Sequence, residues 1–322
     1  MYQNESNEIE FVRNTILVNQ FYKIVMLCGD DCPIVPLKGI SLLFTIYKDD
    51  YERNVADIDF FVAEENVPSL VEKLENIGYR FRKNSSNLKV RINAKHKFDM
   101  VHSDNRFCDL DIHTNLINKK FYRTTTGDFT SFALSRLHAI EHNDKSISLL
   151  SPVDEWLYLA QHYCFHLFSN DKWLKDLYLL QRCFSDEEIT ELVAIAKKFH
   201  FERVVTAVSR CLAHKHHQDS IKIPELVTKK HFIFDSLLRN LRHQYSNKFF
   251  HRIVAVYWEF IFIDNSLSRL KAYLRLLFPR LNVLSAIYNC FSKMICFMYP
   301  VHLLVVILSS ILFLPIITLK KF

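Results

Sequence analysis

Asp57 and Asp59 flank Ile58 at the head of a short apolar run, Ile58-Asp59-Phe60-Phe61-Val62. On a strand, residues two apart share a face at a separation of ~7 Å. Both carboxylates then project one way while Ile58 enters the core. Two carboxylates that close repel unless a cation lies between them. Mg²⁺ is the expected cation, with Mn²⁺ as the alternative, because both suit hard oxygen ligands from protein, water and phosphate. Cys108-Asp109-Leu110-Asp111-Ile112-His113 repeats the pattern, with Asp109, Asp111 and His113 on one face. If the two segments are neighbouring strands, three or four carboxylates converge. That suits two metal ions gripping a phosphoryl group, one activating the attacking oxygen and one stabilising the leaving pyrophosphate.

A third segment, Leu37-Lys38-Gly39, stands at a strand-to-helix junction. A glycine there lets backbone N–H groups approach phosphate, and the helix N-terminus adds a favourable dipole. Lys38 adds a point charge and Ser41 a hydroxyl. Arg53 is either a phosphate contact or a loop residue paired with Asp50 or Glu52. Each piece is weak alone. A lone Asp-x-Asp is usually a solvated face, and Asp109 could be a charge that protects a sheet edge. All three in order, on the expected junction and strands, favour a site.

Elements must position these groups, and the periodicity supplies them. Ile9–Leu27 has helical spacing, Ile34–Leu37 and Ile58–Val62 read as short buried strands, and Ile40–Tyr47 reads as a helix between them. Val67–Ile77 reads as an amphipathic helix stopped by Gly78. Tyr79–Arg82, Leu88–Ile92, His96–His102 and Arg106–His113 alternate and read as strands of a meander. From Pro152 to about Leu212, and again from Pro224 to Phe278, the pattern is helical, with Ser151 as an N-cap and Asp154-Glu155 in the first turn. The expected architecture is α+β: a small mixed-sheet domain over 1–125, an all-helical domain over 126–265, and a basic then hydrophobic tail over 266–322.

Composition excludes several classes. The 322 residues are 49% hydrophobic, enough for a sizeable core and against global disorder. Only 4 glycines occur, so there is no Gly-rich dinucleotide turn, no P-loop and no Gly-x-Ser-x-Gly elbow. The 8 cysteines are scattered without a Cys-x-x-Cys pair, which argues for reduced thiols in a cytosolic body and against a zinc ribbon or disulfide framework. A net charge of +6 does not by itself argue for nucleic acid, which is not an expected partner.

From Met294 to Leu319 there is no Asp, Glu, Lys or Arg, a run longer than the ~20 residues a spanning helix needs. Arg269, Lys271, Arg275, Arg280 and Lys293 precede it without an acidic residue after Asp264. A basic stretch before an apolar run suits the cytoplasmic face of a membrane, and Pro300 and Pro315 leave an interfacial or re-entrant segment open beside a spanning one. A hydrophobic helical hairpin packed on the body is the other reading.

The stretch Pro36-Leu37-Lys38-Gly39, with Leu42, Tyr47, Arg53 and Asp57-Ile58-Asp59-Phe60-Phe61-Val62, resembles the uncharacterised nucleotidyltransferase family of the polymerase-β-like superfamily. Asp111-Ile112-His113 is similar to that family's strand with an aspartate followed by a histidine. His162, His166 and Trp173-Leu174-Lys175-Asp176-Leu177 resemble its helical half. The resemblance covers roughly residues 30–180. It implies an α/β nucleotidyltransferase domain followed by helices, and transfer of a nucleoside monophosphate from an NTP, ATP first among them. It further implies that Asp57 and Asp59 hold the metals. Asp111 would hold the second metal and orient or deprotonate the acceptor hydroxyl, and Gly39 and its neighbours would face the phosphates. The superfamily at large has Gly-Ser or Gly-Gly where this chain has Lys38-Gly39.

His162 and His166 share a helix face at i and i+4. No Glu follows in the zincin pattern, so they line a cleft or pack. Lys175 and Asp176 share the helix of Trp173, where a role in acceptor binding or an ion pair is open. His214, His216 and His217 read as a solvated helix end. Two other functions fit parts of the pattern: a metal-dependent glycosyltransferase using Asp-x-Asp, and an inactive membrane-tethered binding module. The expected enzyme is cytoplasmic, attached to the inner membrane face by its tail, and acts on a lipid-linked, glycan or peptide precursor.

Overall fold

The computed structural model describes residues 2–47, 53–82, 97–104, 106–117, 128–143, 145–166, 168, 170–216, 221–226, 270, 274, 277–278 and 300–308. The chain divides into two compact units, Met1–Lys119 with Phe129–Ser151, and Lys120–Asp128 with Pro152–Phe322.

The first unit is built on a five-stranded mixed sheet. Its elements in chain order are α1 (Tyr2–Cys28), β1 (Ile34–Pro36), α2 (Lys38–Thr45), β2 (Ile58–Val62), α3 (Val67–Asn76), β3 (Tyr79–Phe81), β4 (Lys97–His102) and β5 (Leu110–His113). After them come α4 (Phe129–Leu134), β6 (His138–His142) and β7 (Lys145–Leu149). The sheet order is β1-β2-β5-β4-β3, with β2 and β5 parallel and every other pair antiparallel. β2 and β5 are buried along their whole length. Ile58, Phe60, Leu110 and Ile112 fill one face of that pair, each at most 1% exposed. Such two-sided burial belongs to a parallel pair at the middle of a sheet.

β2 matches the expected strand at both ends. Leu88–Ile92 lies outside the described residues. The strand expected over Arg106–His113 is shorter, Leu110–His113, because Asp104 bends the chain before it. Its Oδ1 accepts from the Arg106 N–H at 2.9 Å and its carbonyl from Phe107 at 3.1 Å, a side-chain-closed turn. β6 and β7 form a hairpin the periodicity does not anticipate, with Asn143 at φ 51° in its turn. An Asn in the left-handed region is a recognised hairpin device. Tyr22 on α1 donates to the His142 carbonyl at 3.1 Å, and Phe44 meets the His142 ring edge-on at 5.0 Å.

Gly78 closes α3 at φ 99°, its N–H donating to the Glu75 carbonyl at 3.2 Å. A Cβ there would stand 2.8 Å from His102 Nε2. Gly78→Ala therefore meets both strain and a clash, and is expected to lose about 2 kcal/mol in urea unfolding. A loss below about 0.5 kcal/mol contradicts this account.

Among the described residues the second unit has helices α5 (Pro152–Phe165), α6 (Asp171–Cys183), α7 (Asp186–Lys198) and α8 (Glu202–Lys215), besides the helical stretch 300–308. α5 is buried nearly all round, and α6, α7 and α8 each pack on it. Trp156 is fully buried, with Nε1 donating to the Leu177 carbonyl of α6 at 3.1 Å. Asp154 and Glu155 stand in the first turn of α5, as the helix dipole favours, but are buried. A capping box between Ser185 and Glu188 starts α7. The tail is described only at 300–308, which is helical, and at isolated positions before it. Among the described residues no helix is long and apolar enough to cross a membrane.

Candidate active site

The parallel pairing sets Asp59 directly opposite Asp111, with Phe61 opposite His113. Asp59, Asp111 and His113 share one face of the two central strands. Because the other face is packed with Ile58, Leu110 and Ile112, a register slip by one residue would bury the acids in the core. Both carboxylates and the imidazole are buried, at most 8% exposed. One ligand atom from each lies within 4.8 Å of the others. His113 Nε2 is 3.2 Å from Asp59 Oδ1 and 3.4 Å from Asp111 Oδ2.

Backbone bonds hold the pieces in place. The Leu37 N–H donates to the Asp59 carbonyl at 2.9 Å, tying the entry of α2 to the acid strand. The Ile58 N–H donates to the Asp109 carbonyl at 3.0 Å. Gln20 clamps the approach to β5, accepting from the Cys108 N–H at 2.9 Å and donating to the Cys108 carbonyl at 3.2 Å.

Two lysines enter the cluster. Lys38 has φ 52°, a left-handed conformation that a non-glycine residue adopts at a cost of ~1 kcal/mol. Its buried ammonium bonds Asp59 directly and lies 3.5 Å from Asp111 Oδ2 and 3.4 Å from His113 Nε2. Lys97, from β4, reaches Asp111 Oδ2 at 2.5 Å. It was not among the expected site residues. Its alternation with Phe98 was legible, but a lysine at the start of a strand carries no mark of function. Burial opposes the Asp111 charge, yet the hydrogen bond from His113 and the charges of His113, Lys38 and Lys97 hold its carboxyl well below the usual range.

Asp57 stands one residue before β2, partly exposed, and outside the Asp59–Asp111–His113 trio. Burial and the charges of Asp59 and Asp111 push its pKa up to about 6, against the lowering influence of Lys38 and Lys97.

Gly39 does not take the left-handed conformation; Lys38 does. A Cβ on Gly39 would stand 3.0 Å from Val55 Cγ1 and 3.1 Å from Cγ2, so its smallness lets the loop before β2 close on the junction. Ser41 is fully buried, and its hydroxyl has no hydrogen-bond partner among the described residues. Arg53 is buried; its guanidinium donates to the Asn54 carbonyl at 2.5 Å, while its own carbonyl accepts from Asn14 at 2.7 Å. Asp50 and Glu52 lie outside the described residues.

Asp109 is half-exposed and pairs with Arg82, apart from the trio. In the second unit, His162 and His166 have ring centroids 4.4 Å apart and pack on Trp173 at 4.6 and 4.9 Å. Lys175 is exposed and Asp176 fully buried on α6. His216 stacks on Tyr178 at 3.8 Å, while His217 is outside the described residues.

Residues 4–215 match the sequence profile of a family described as uncharacterised nucleotidyltransferase. The chain belongs to that family. The buried Asp-Asp-His cluster of this nucleotidyltransferase is consistent with metal binding. Among solved structures, the chain is similar to the antibiotic-resistance factor ANT(2'')-Ia. The identity is 14%, the TM-score 0.40, and the match covers 64% of this chain and 98% of that one. No curated protein matches the sequence.

Proposed function

We propose that this nucleotidyltransferase moves a nucleoside monophosphate from an NTP, ATP first among them, to an acceptor hydroxyl, with pyrophosphate leaving. The observation that carries the reading is the buried trio of Asp59, Asp111 and His113 at the centre of the sheet. It fits a divalent cation on two counts. Two carboxylates and an imidazole within 4.8 Å form an O,O,N donor set. Asp111 Oδ1 is buried without a hydrogen-bond partner among the described residues, an arrangement that is costly unless something ligates it.

Asp59 and Asp111 would hold the metal, Mg²⁺ or Mn²⁺, with His113 beside them and Asp57 completing the negative mouth. When bound, such a cation neutralises phosphate charge and lowers the pKa of a coordinated oxygen. The chain's own residues do the rest. Asp111 is kept ionised and can orient the acceptor hydroxyl. Lys38, at the start of α2, is close enough to the acids to meet a phosphate bound over them. Gly39 keeps the junction tight, and Arg53 supports the loop from within.

Purified full-length chain with Mg²⁺ or Mn²⁺ and each of the four NTPs should release pyrophosphate, and an Asp57→Ala/Asp59→Ala variant should not. Equal release from both rejects the enzyme reading. Mass spectrometry of lipid-linked, glycan and peptide precursors for a nucleotide adduct identifies the acceptor class.

For the tail we propose attachment to the inner face of a membrane. Val301, Leu304, Val305, Ile307 and Leu308 are exposed apolar residues at 300–308, downstream of the basic stretch. Full-length chain should sediment with membranes, and a truncation after Lys293 should not. A fully soluble full-length chain would sink the attachment.

A further inference from the structure

The Lys38 ammonium lies within reach of every member of the trio: bonded to Asp59, 3.5 Å from Asp111 and 3.4 Å from His113. These are the same donors that fit a divalent cation. The Lys38 ammonium and a divalent ion cannot both sit among all three, because an ion ligated by Asp59, Asp111 and His113 would stand against that ammonium without intervening water. We propose that Lys38 is a built-in monovalent cation for this site, competing directly with metal and leaving the carboxylates when a nucleotide triphosphate offers its phosphates.

Three features of the chain support the exchange. Lys38 is held in a left-handed backbone conformation at φ 52°, rare for a residue with a side chain, so the junction is built to aim this lysine. Its anchoring is local: the Leu37 N–H to Asp59 carbonyl bond fixes the backbone beside it, while the ammonium is carried on a stem of four methylenes that can re-aim it about that fixed point. Finally, Lys97 remains on Asp111 at 2.5 Å from a different strand, so the acids keep one positive partner when Lys38 departs.

The consequence is coupled binding. Metal alone must expel the ammonium from its carboxylate partners and brings it no anion in return. Metal arriving with a triphosphate gives Lys38 an anionic partner in exchange. A lysine that only touched phosphate would leave the affinity for free metal unchanged when removed. The inference rests on the trio being the metal site, and its test separates the two ideas.

The experiment is Mn²⁺ binding to full-length protein, followed by water-proton relaxation, without nucleotide and then with a non-hydrolysable NTP analogue. Wild type, Lys38→Met, Lys38→Gln and Asp59→Asn are compared. Removing the lysine charge is expected to tighten Mn²⁺ binding without nucleotide at least 10-fold, and to shrink the further gain from the analogue. Asp59→Asn should bind Mn²⁺ poorly in both conditions. Thermal melts add a readout independent of activity: Lys38→Met should melt below wild type in chelator and recover in Mn²⁺. Wild type and both Lys38 variants binding free Mn²⁺ equally, with Asp59→Asn weakened, overturns the role of Lys38 and leaves the metal site standing. No Mn²⁺ binding by any protein overturns both. Should neither Lys38 variant fold in chelator, both are refolded with Mn²⁺: recovery of the native fold supports the exchange of ammonium for metal, and failure to fold with Mn²⁺ as well overturns it.

Discussion

Asp59→Asn should abolish pyrophosphate release, by about 10³-fold or more, while leaving the chain folded. The magnitude is that of losing a preorganised electrostatic contact to a transferring group in a desolvated site. Folding survives for a reason visible in the charges. Asp59 bonds Lys38, Asp111 bonds Lys97, and both lysines favour the charge of Asp57. Removing one of three carboxylates leaves two against two ammoniums, and Lys38 retains Asp111 at 3.5 Å. The expected change in urea stability is therefore within about 1 kcal/mol, well short of the 3–5 kcal/mol of a broken isolated buried pair. Asp109→Asn is the matched control. Its carboxylate is half-exposed on Arg82, an ion pair worth at most about 1 kcal/mol, and turnover should stay within about twofold of wild type. If the two variants lose activity equally, the trio has no special part in turnover.

These two aspartates also show what a sequence can and cannot tell. Asp109 and Asp111 share a strand face by period, so alternation alone ranks them together. What separates them is the end of β5: Asp109 falls just before the paired residues, beside Arg82, while Asp111 is inside them opposite Asp59. Strand ends are set by turns, and here the turn is closed by the Asp104 side chain. The parallel pairing of β2 with β5 was anticipated only as a condition, because no local pattern encodes which strands meet across 50 residues of chain.

The same limit explains His113 and Lys97. Alternation assigns His113 to the acid face, but its distances to Asp59 and Asp111 depend on register. Lys97 comes from a third strand whose register brings it opposite His113. Gly39 was legible as a residue that must be small. The cause lies in Val55, sixteen positions on, and the unusual backbone belongs to Lys38 instead. Elements fixed by local chemistry are legible in the sequence: β2 in its apolar run, and the end of α3 in Gly78. The β6–β7 hairpin has weak alternation and an Asn turn, and it stands in the unit through contacts of Tyr22 and Phe44 with His142 that only the fold supplies.

Asp57→Asn is expected to stabilise the chain at pH 7 in chelator while crippling turnover. Burial, with the neighbouring charges of Asp59 and Asp111, raises the Asp57 pKa from the ordinary 3.8 to about 6. An unfolded chain ionises this carboxyl near 3.8 and the folded chain near 6, so between those values the folded state holds the extra proton. Stability then falls as pH rises through that window, and above it the folded chain carries the full cost. A shift of this size corresponds to at most about 3 kcal/mol, and about 1–2 kcal/mol is expected once partial solvent access is allowed for. Asp57→Asn escapes the cost, so its advantage in urea should be present at pH 7, shrink below pH 6 and vanish below pH 4. Equal stability at pH 7 would show that the Asp57 charge is not strained. Added Mn²⁺ should narrow the gap, because a bound cation favours the ionised wild-type carboxyl and does far less for the amide. Asp57 is a third carboxylate beside two acids that Lys38 and Lys97 already match, so its charge at neutral pH works against folding. Under the proposed function, it is charge that a bound cation would neutralise.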